Sequence, residues 1–216
     1  MRLIGVMLVC VGCHSGGTVT PDTPVDPDGP VHGLGMFVTW RADPELPGDV
    51  TDKITVSDAT FQLEHLQLVS DAGADGRTTH SRYQLRWGTG AVPALESFPN
   101  APVAMYQRIA MDLRPGSLQP FAYQIQGTFD DDNSADTERF RIVNPMPMSL
   151  PIDCNVTLAP GGSVSIVVKI DLKDALGRID FKNVPEIAGV HVLSGGPMLN
   201  DLNKRLVGAF EAKLED

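Results

Sequence analysis

Residues 150–172 read LPIDCNVTLAPGGSVSIVVKIDL. Leu150, Ile152, Cys154, Val156 and Leu158 recur every second residue, and Val164, Ile166, Val168, Ile170 and Leu172 then do the same. Successive side chains of a strand point to opposite faces, so this period predicts two strands with one face buried. Pro160-Gly161-Gly162 stands between them and reads as a tight hairpin turn.

The same period recurs outward in both directions. Met36-Phe37-Val38-Thr39-Trp40 is a strand candidate, as are the sets Tyr83/Leu85/Trp87, Met105/Ile109/Met111/Leu113 and Phe121/Tyr123/Ile125. The run from Phe61 to Val69 carries apolar residues on both faces, which predicts a bulge or burial on both sides. Asp71–Gly76 and Asp130–Asp136 are turn-rich stretches between such runs. Many short strands with this punctuation predict a mainly β fold, an antiparallel β-sandwich. One helix is expected at the C-terminal side: Pro197 follows Gly195-Gly196, and Leu199, Leu202, Leu206 and Phe210 fall on one face of about four turns.

The 216 residues suffice for one domain with a sizeable core. Seventeen basic against 27 acidic residues give a formal net charge of −10, a surface that repels phosphate backbones and speaks against a nucleic-acid partner.

The start of the chain sets the compartment. Arg2 supplies a positive charge, Leu3 to Val11 form a short apolar run, and Gly12-Cys13 follows. This is the layout of an export signal over 1–12, and the run is far short of the roughly 20 residues that span a bilayer. Val11-Gly12-Cys13 resembles the bacterial lipoprotein signal, in which a small residue precedes a cysteine that becomes the lipidated first residue of the mature chain. Cys10 departs from the leucine usual three residues before that position. The resemblance implies lipidation of Cys13, attachment to a membrane of the cell envelope, and, because His14 rather than aspartate follows, the outer membrane. Cys10-Val-Gly-Cys13-His14 also matches the C-x-x-C-H pattern of haem attachment, but only nine residues precede Cys10, too few for a separate signal peptide.

Residues 13–33 hold prolines at 21, 24, 27 and 30 among glycine, threonine and aspartate, with little to bury, and read as a flexible tether. The sandwich domain is expected over 34–216. With Cys10 removed and Cys13 lipidated, Cys154 is left unpaired, and its strand context reads as a buried structural thiol. Without lipidation, a Cys13–Cys154 disulfide becomes an alternative.

No catalytic motif stands out, and the expectation is a protein that is not an enzyme. The chain has no G-x-S-x-G elbow, no phosphate-binding P-loop and no G-x-G-x-x-G. Asp130, Asp132, Ser134 and Asp136 offer oxygens, but an EF-hand would need glycine at Ala135 and glutamate at Arg141. Two histidines are candidate metal ligands. His65 lies in Phe61-Gln-Leu-Glu-His-Leu-Gln-Leu, where it would share the inward face of Phe61 and Leu63; the alternative is a hydrogen-bonded core histidine. His80 begins a strand across the following turn, and the two could meet across that hairpin, with methionine or His191 completing a site. Imidazole favours copper and zinc.

In the order of its features the body resembles the periplasmic β-sandwich proteins that accompany methanobactin and related copper-handling lipoproteins. The matching pieces are Ile54–Ser57 through Leu68-Val69, Val103–Tyr106 through Leu113, Val167–Asp171, and Gly195-Gly-Pro through Phe210. The resemblance implies a sandwich, with copper as an alternative to no cofactor at all. Some members of that group hold copper through histidines and an oxidised tryptophan; neither Trp40 nor Trp87 lies two residues from a histidine, so no ligand set carries over. The reading is therefore a lipid-anchored envelope module that binds or supports another component, with copper or other metal binding as its alternative.

Overall fold

Two sheets face each other across one apolar core. The computed structural model describes residues 34–71, 75–77, 82–91, 95–99, 101–116, 119–130 and 137–215. Its strands are β1 (Gly35–Asp43), β2 (Gly48–Asp49), β3 (Ile54–Ser70), β4 (Asp75–Arg77), β5 (Arg82–Gly88), β6 (Glu96–Phe98) and β7 (Met105–Leu113). They continue with β8 (Tyr123–Asp130), β9 (Thr137–Asn144), β10 (Met148–Thr157), β11 (Ser163–Asp171), β12 (His191–Leu193) and β13 (Phe210–Leu214). Two helices, α1 (Leu172–Leu176) and α2 (Gly196–Gly208), complete the fold.

The small sheet runs β13-β11-β1-β6, and the large one β10-β7-β3-β8-β9-β12, with β2, β4 and β5 also paired to β3. Most pairs are antiparallel, as expected, but β1 runs parallel to β11 over Gly35↔Ser163 to Asp43↔Asp171, and β12 runs parallel to β9. The large sheet forks at β3. Phe61 pairs with Leu85 on one edge and Tyr123 on the other, while Leu63 pairs with Tyr83 and Leu113. Thus β5 holds one edge, and β8 and β7 share the opposite edge in succession. The fork falls on Gln62, whose backbone N–H donates to Ala122 and whose carbonyl accepts from Arg114.

The alternating runs bury what their period predicts. Leu150, Ile152, Val156, Ile166, Val168 and Ile170 are all buried, as are Leu85, Trp87, Ile109 and Leu113. At the centre, Phe61 meets Trp87 and Phe210 edge-on at 6.0 and 5.7 Å. A second aromatic group closes the core beyond α1: Phe181 stacks on Phe140 at 4.3 Å and on Phe129 at 5.2 Å. Each such side chain contributes on the order of 2–3 kcal/mol by leaving water.

Three expectations need correction. The Pro160–Gly162 turn joins strands of different sheets, β10 in the large and β11 in the small, so it is a crossover and not a hairpin. Residues on both sides of the turn are apolar at period two, and that pattern carries no information about which sheet each strand enters. Phe210 is not helical: α2 ends at Gly208, and Phe210 opens β13, antiparallel to β11. Its spacing from Leu202 and Leu206 satisfies the helical period and the strand's inward position alike. Leu172, read as the last residue of a strand, starts α1, where the Asp171 carboxylate accepts from the Lys173 backbone N–H. Helix α2 buries Leu199, Leu202 and Leu206 and packs on α1, β10 and β13. The Tyr123 hydroxyl ties it to the large sheet by donating to Asn203 Oδ1 at 2.6 Å.

Candidate functional site on the outer face of the large sheet

His65 does not share the inward face of Phe61 and Leu63. The register of β3 against β7 slips from Glu64↔Asp112 to Gln67↔Ala110, so one extra residue of β3 is inserted there. His65 takes a left-handed backbone, φ 57°, as the first residue of such a bulge does, and turns outward. Its side chain is 64% exposed. The insertion also returns Leu66 and Leu68 to the core beside Leu63, which is why the run shows apolar residues on both faces. His80 lies outside the described residues, as does Cys13.

Outward side chains make a polar row across β5, β3, β7 and β10. Arg82, Glu64, Asp112 and Ser149 are successive cross-strand partners. Arg82 donates to Glu64, and Ser149 Oγ donates to Asp112 Oδ1 at 2.6 Å. Glu64 and Asp112, like charges directly opposed, are bridged by Arg114, at 3.4 Å from Glu64 Oε2 and 3.3 Å from Asp112 Oδ2. His65 Nδ1 lies 3.3 Å from the same Asp112 oxygen. The Ser149 hydroxyl, followed by His65 and Arg114, holds the Asp112 carboxyl below its usual range despite partial desolvation.

Chemically, this arrangement is not a nucleophile system. A serine is activated when histidine takes its proton and a carboxylate orients that histidine. Here the carboxylate occupies the middle place, and the Ser149 proton goes to Asp112. For a cation, His65 and Asp112 offer one nitrogen and one oxygen, and Arg114 opposes positive charge beside them. Among the described residues no group of three or more His, Cys, Asp or Glu is disposed around a common point.

The other singled-out residues have structural partners. Both nitrogens of His191 are engaged: Nδ1 donates to the Val184 carbonyl at 3.0 Å, and Nε2 lies 2.7 Å from Glu138 Oε2. Cys154 is half-buried, and its thiol lies 3.4 Å from the Tyr106 carbonyl. Burial pushes that thiol up to about 11, away from the reactive thiolate.

Comparison with protein-family models, curated proteins and solved structures finds no match. What sequence reasoning missed is the outer face of β3, β8 and β9. There Asp58, Thr60 and Gln62 are each at least nine-tenths buried although they point away from the core. The sequence signal was Gln124-Ile-Gln126 and Arg139-Phe-Arg141, polar residues alternating with apolar ones, which any solvated strand face also shows.

Proposed function

We propose that this protein is a lipid-anchored module of the bacterial cell envelope whose sandwich body binds or supports another envelope component and performs no catalysis. The observation that carries this reading is Val11-Gly12-Cys13 closing a short apolar run behind Arg2. The Pro- and Gly-rich stretch over 13–33 supports it, since a lipidated cysteine requires a leader before a folded body; a chain of that length reaches about 25 Å. Several acyl chains on Cys13 give stable attachment, each buried methylene contributing about 0.8 kcal/mol. His14 after the cysteine favours the outer membrane.

The test is expression of the full chain in a bacterium. The product partitions into the detergent phase, its mature mass starts at an acylated Cys13, and Cys13→Ala abolishes both. A soluble, unacylated product that begins elsewhere overturns the reading.

A second reading, copper or another metal held by His65 and His80, is favoured by the outward imidazole of His65 beside the Asp112 carboxylate. Cu(I), Cu(II) and Zn(II) are titrated in turn into the chain with and without His65→Ala. One tight equivalent lost in the variant supports it. Weak binding of several equivalents, unchanged in the variant, overturns it.

A further inference from the structure

On the outer face of the large sheet, Gln84 and Arg86 of β5, Asp58 and Thr60 of β3, and Gln124 and Gln126 of β8 line a groove of about 240 Å³. Gln126 also lines a neighbouring cleft of about 500 Å³, with Ser57, Arg139 and Arg141 on its floor and the turn at Ile187–Val190 along its rim. The cross-strand pairs Asp58↔Gln126 and Gln126↔Arg141 make the two one trough across three strands.

Its charge is opposite to that of the chain. Asp58 is already neutralised: Oδ2 accepts from Arg86 at 2.8 Å, and Oδ1 from the Thr60 hydroxyl at 3.0 Å. Among the described residues, neither Arg139 nor Arg141 has a carboxylate within ion-pair distance. Two arginines whose Cα atoms stand about 6.6 Å apart on one strand face are thus without a carboxylate partner among the described residues, in a protein of net charge −10.

Four amides line the groove beside them. Gln84, Gln119, Gln124 and Gln126 carry both donors and acceptors, the combination that hydroxyl groups need, and Gln124 Nε2 donates to Gln126 Oε1 at 3.3 Å, which leaves the Gln124 oxygen and the Gln126 nitrogen for a ligand. Beneath them Gln62, paired in register with Gln84, is 7% exposed and does not itself line the groove. Ile187 on the rim of the cleft, 61% exposed, supplies apolar surface for the face of a sugar ring.

A peptide strand is a poorer fit. The trough lies on a sheet face, where the backbone groups of β3, β8 and β9 are spent in their ladders, so strand addition has no free edge here.

We propose that this trough binds an acidic polysaccharide, its acid groups on Arg139 and Arg141 and its hydroxyls on Gln84, Gln124 and Gln126. The guanidinium fork matches carboxylate, sulfate and phosphate alike. The inference names a ligand class for the binding-module reading above and rests on it. Its test uses the full chain carrying Cys13→Ala, so that a failure of anchoring and a failure of ligand binding are read separately.

The probes are polygalacturonate, dextran sulfate, neutral dextran and polyglutamate, measured by calorimetry at low and physiological salt. The expected result is binding to at least one of the two acidic polysaccharides, weakened by salt, with none to dextran and at least tenfold weaker binding to polyglutamate. Preference between the two acidic probes identifies the acid group. Arg139→Gln with Arg141→Gln, both exposed positions, lowers affinity at least tenfold with unchanged thermal unfolding, and Gln124→Ala lowers it independently. No binding to either acidic polysaccharide, equal binding to polyglutamate, or unchanged affinity in the arginine double variant overturns the proposal.

Discussion

His65 holds a conformation that L-residues avoid, at a cost of roughly 1–2 kcal/mol. Its exposed contact with Asp112 returns at most about 1 kcal/mol. His65→Gly, which removes both, is therefore expected to leave stability unchanged or slightly raised. His65→Val, β-branched at positive φ, is expected to fall below it by about 1.5 kcal/mol or more. Urea unfolding of the two variants decides, and equal midpoints would mean that the bulge is not held there. Asp112 gives a second prediction. The Ser149 hydroxyl holds its carboxyl below the usual carboxylate range, so its ionised form stabilises the fold. For a depressed acid this contribution is fully present well above the unfolded value and is lost as pH falls through the folded one. Asp112→Asn is expected to cost stability at pH 7, with the gap to the parent closing below about pH 4. A gap constant down to pH 2 would refute the assignment. The outward turn of His65 was not legible beforehand. Alternation places residue 65 beside 61 and 63, and only the partner register on β7 reveals the extra residue that breaks it.

At the scale of elements, β3 is the strand on which the large sheet depends, and its backbone leaves no room for a side chain at Gly127 of β8. A methyl group there would fall on the Thr55 carbonyl oxygen, backbone against backbone, with no flexible side chain to yield. Gly127→Ala is expected to destabilise by about 3 kcal/mol or more, whereas Gly208→Ala, with open space around it, stays within about 1 kcal/mol. Thermal unfolding of the pair checks this, and comparable losses would argue against close β3–β8 pairing. Strands β1, β5, β7, β8, β10 and β11 were legible because each carries several apolar residues at period two. Strand β9 offered only Phe140 and Ile142 at that period, and β13 was masked by Phe210 extending the helical pattern. The trough was less legible still. Arg139, Gln126, Thr60 and Gln84 are far apart in the chain, and their juxtaposition follows from which strands pair and in what register, a property that local periodicity does not encode.

For the whole molecule, the parallel pairing of β1 with β11 sets a mechanical direction. β1 begins at Gly35 beside Ser163, and β13, running the other way, brings Leu214 beside Ile166. The first and last strands therefore leave the sandwich at the same end, two neighbours of one central strand, while α1 and Arg178 lie at the opposite end. Tension applied at Gly35 against a point near Arg178 runs along β1 and loads its paired residues together, in shear. Tension between Gly35 and Leu214 runs across the strands and opens the hydrogen bonds one after another, like a zip. Single-molecule pulling with a handle at Arg178→Cys is expected to need a clearly higher force than pulling between the two ends, and equal forces would contradict this pairing. A body held at Gly35 and loaded at the far end would be strained in its strong direction. The strand order would make the sandwich a link that carries tension.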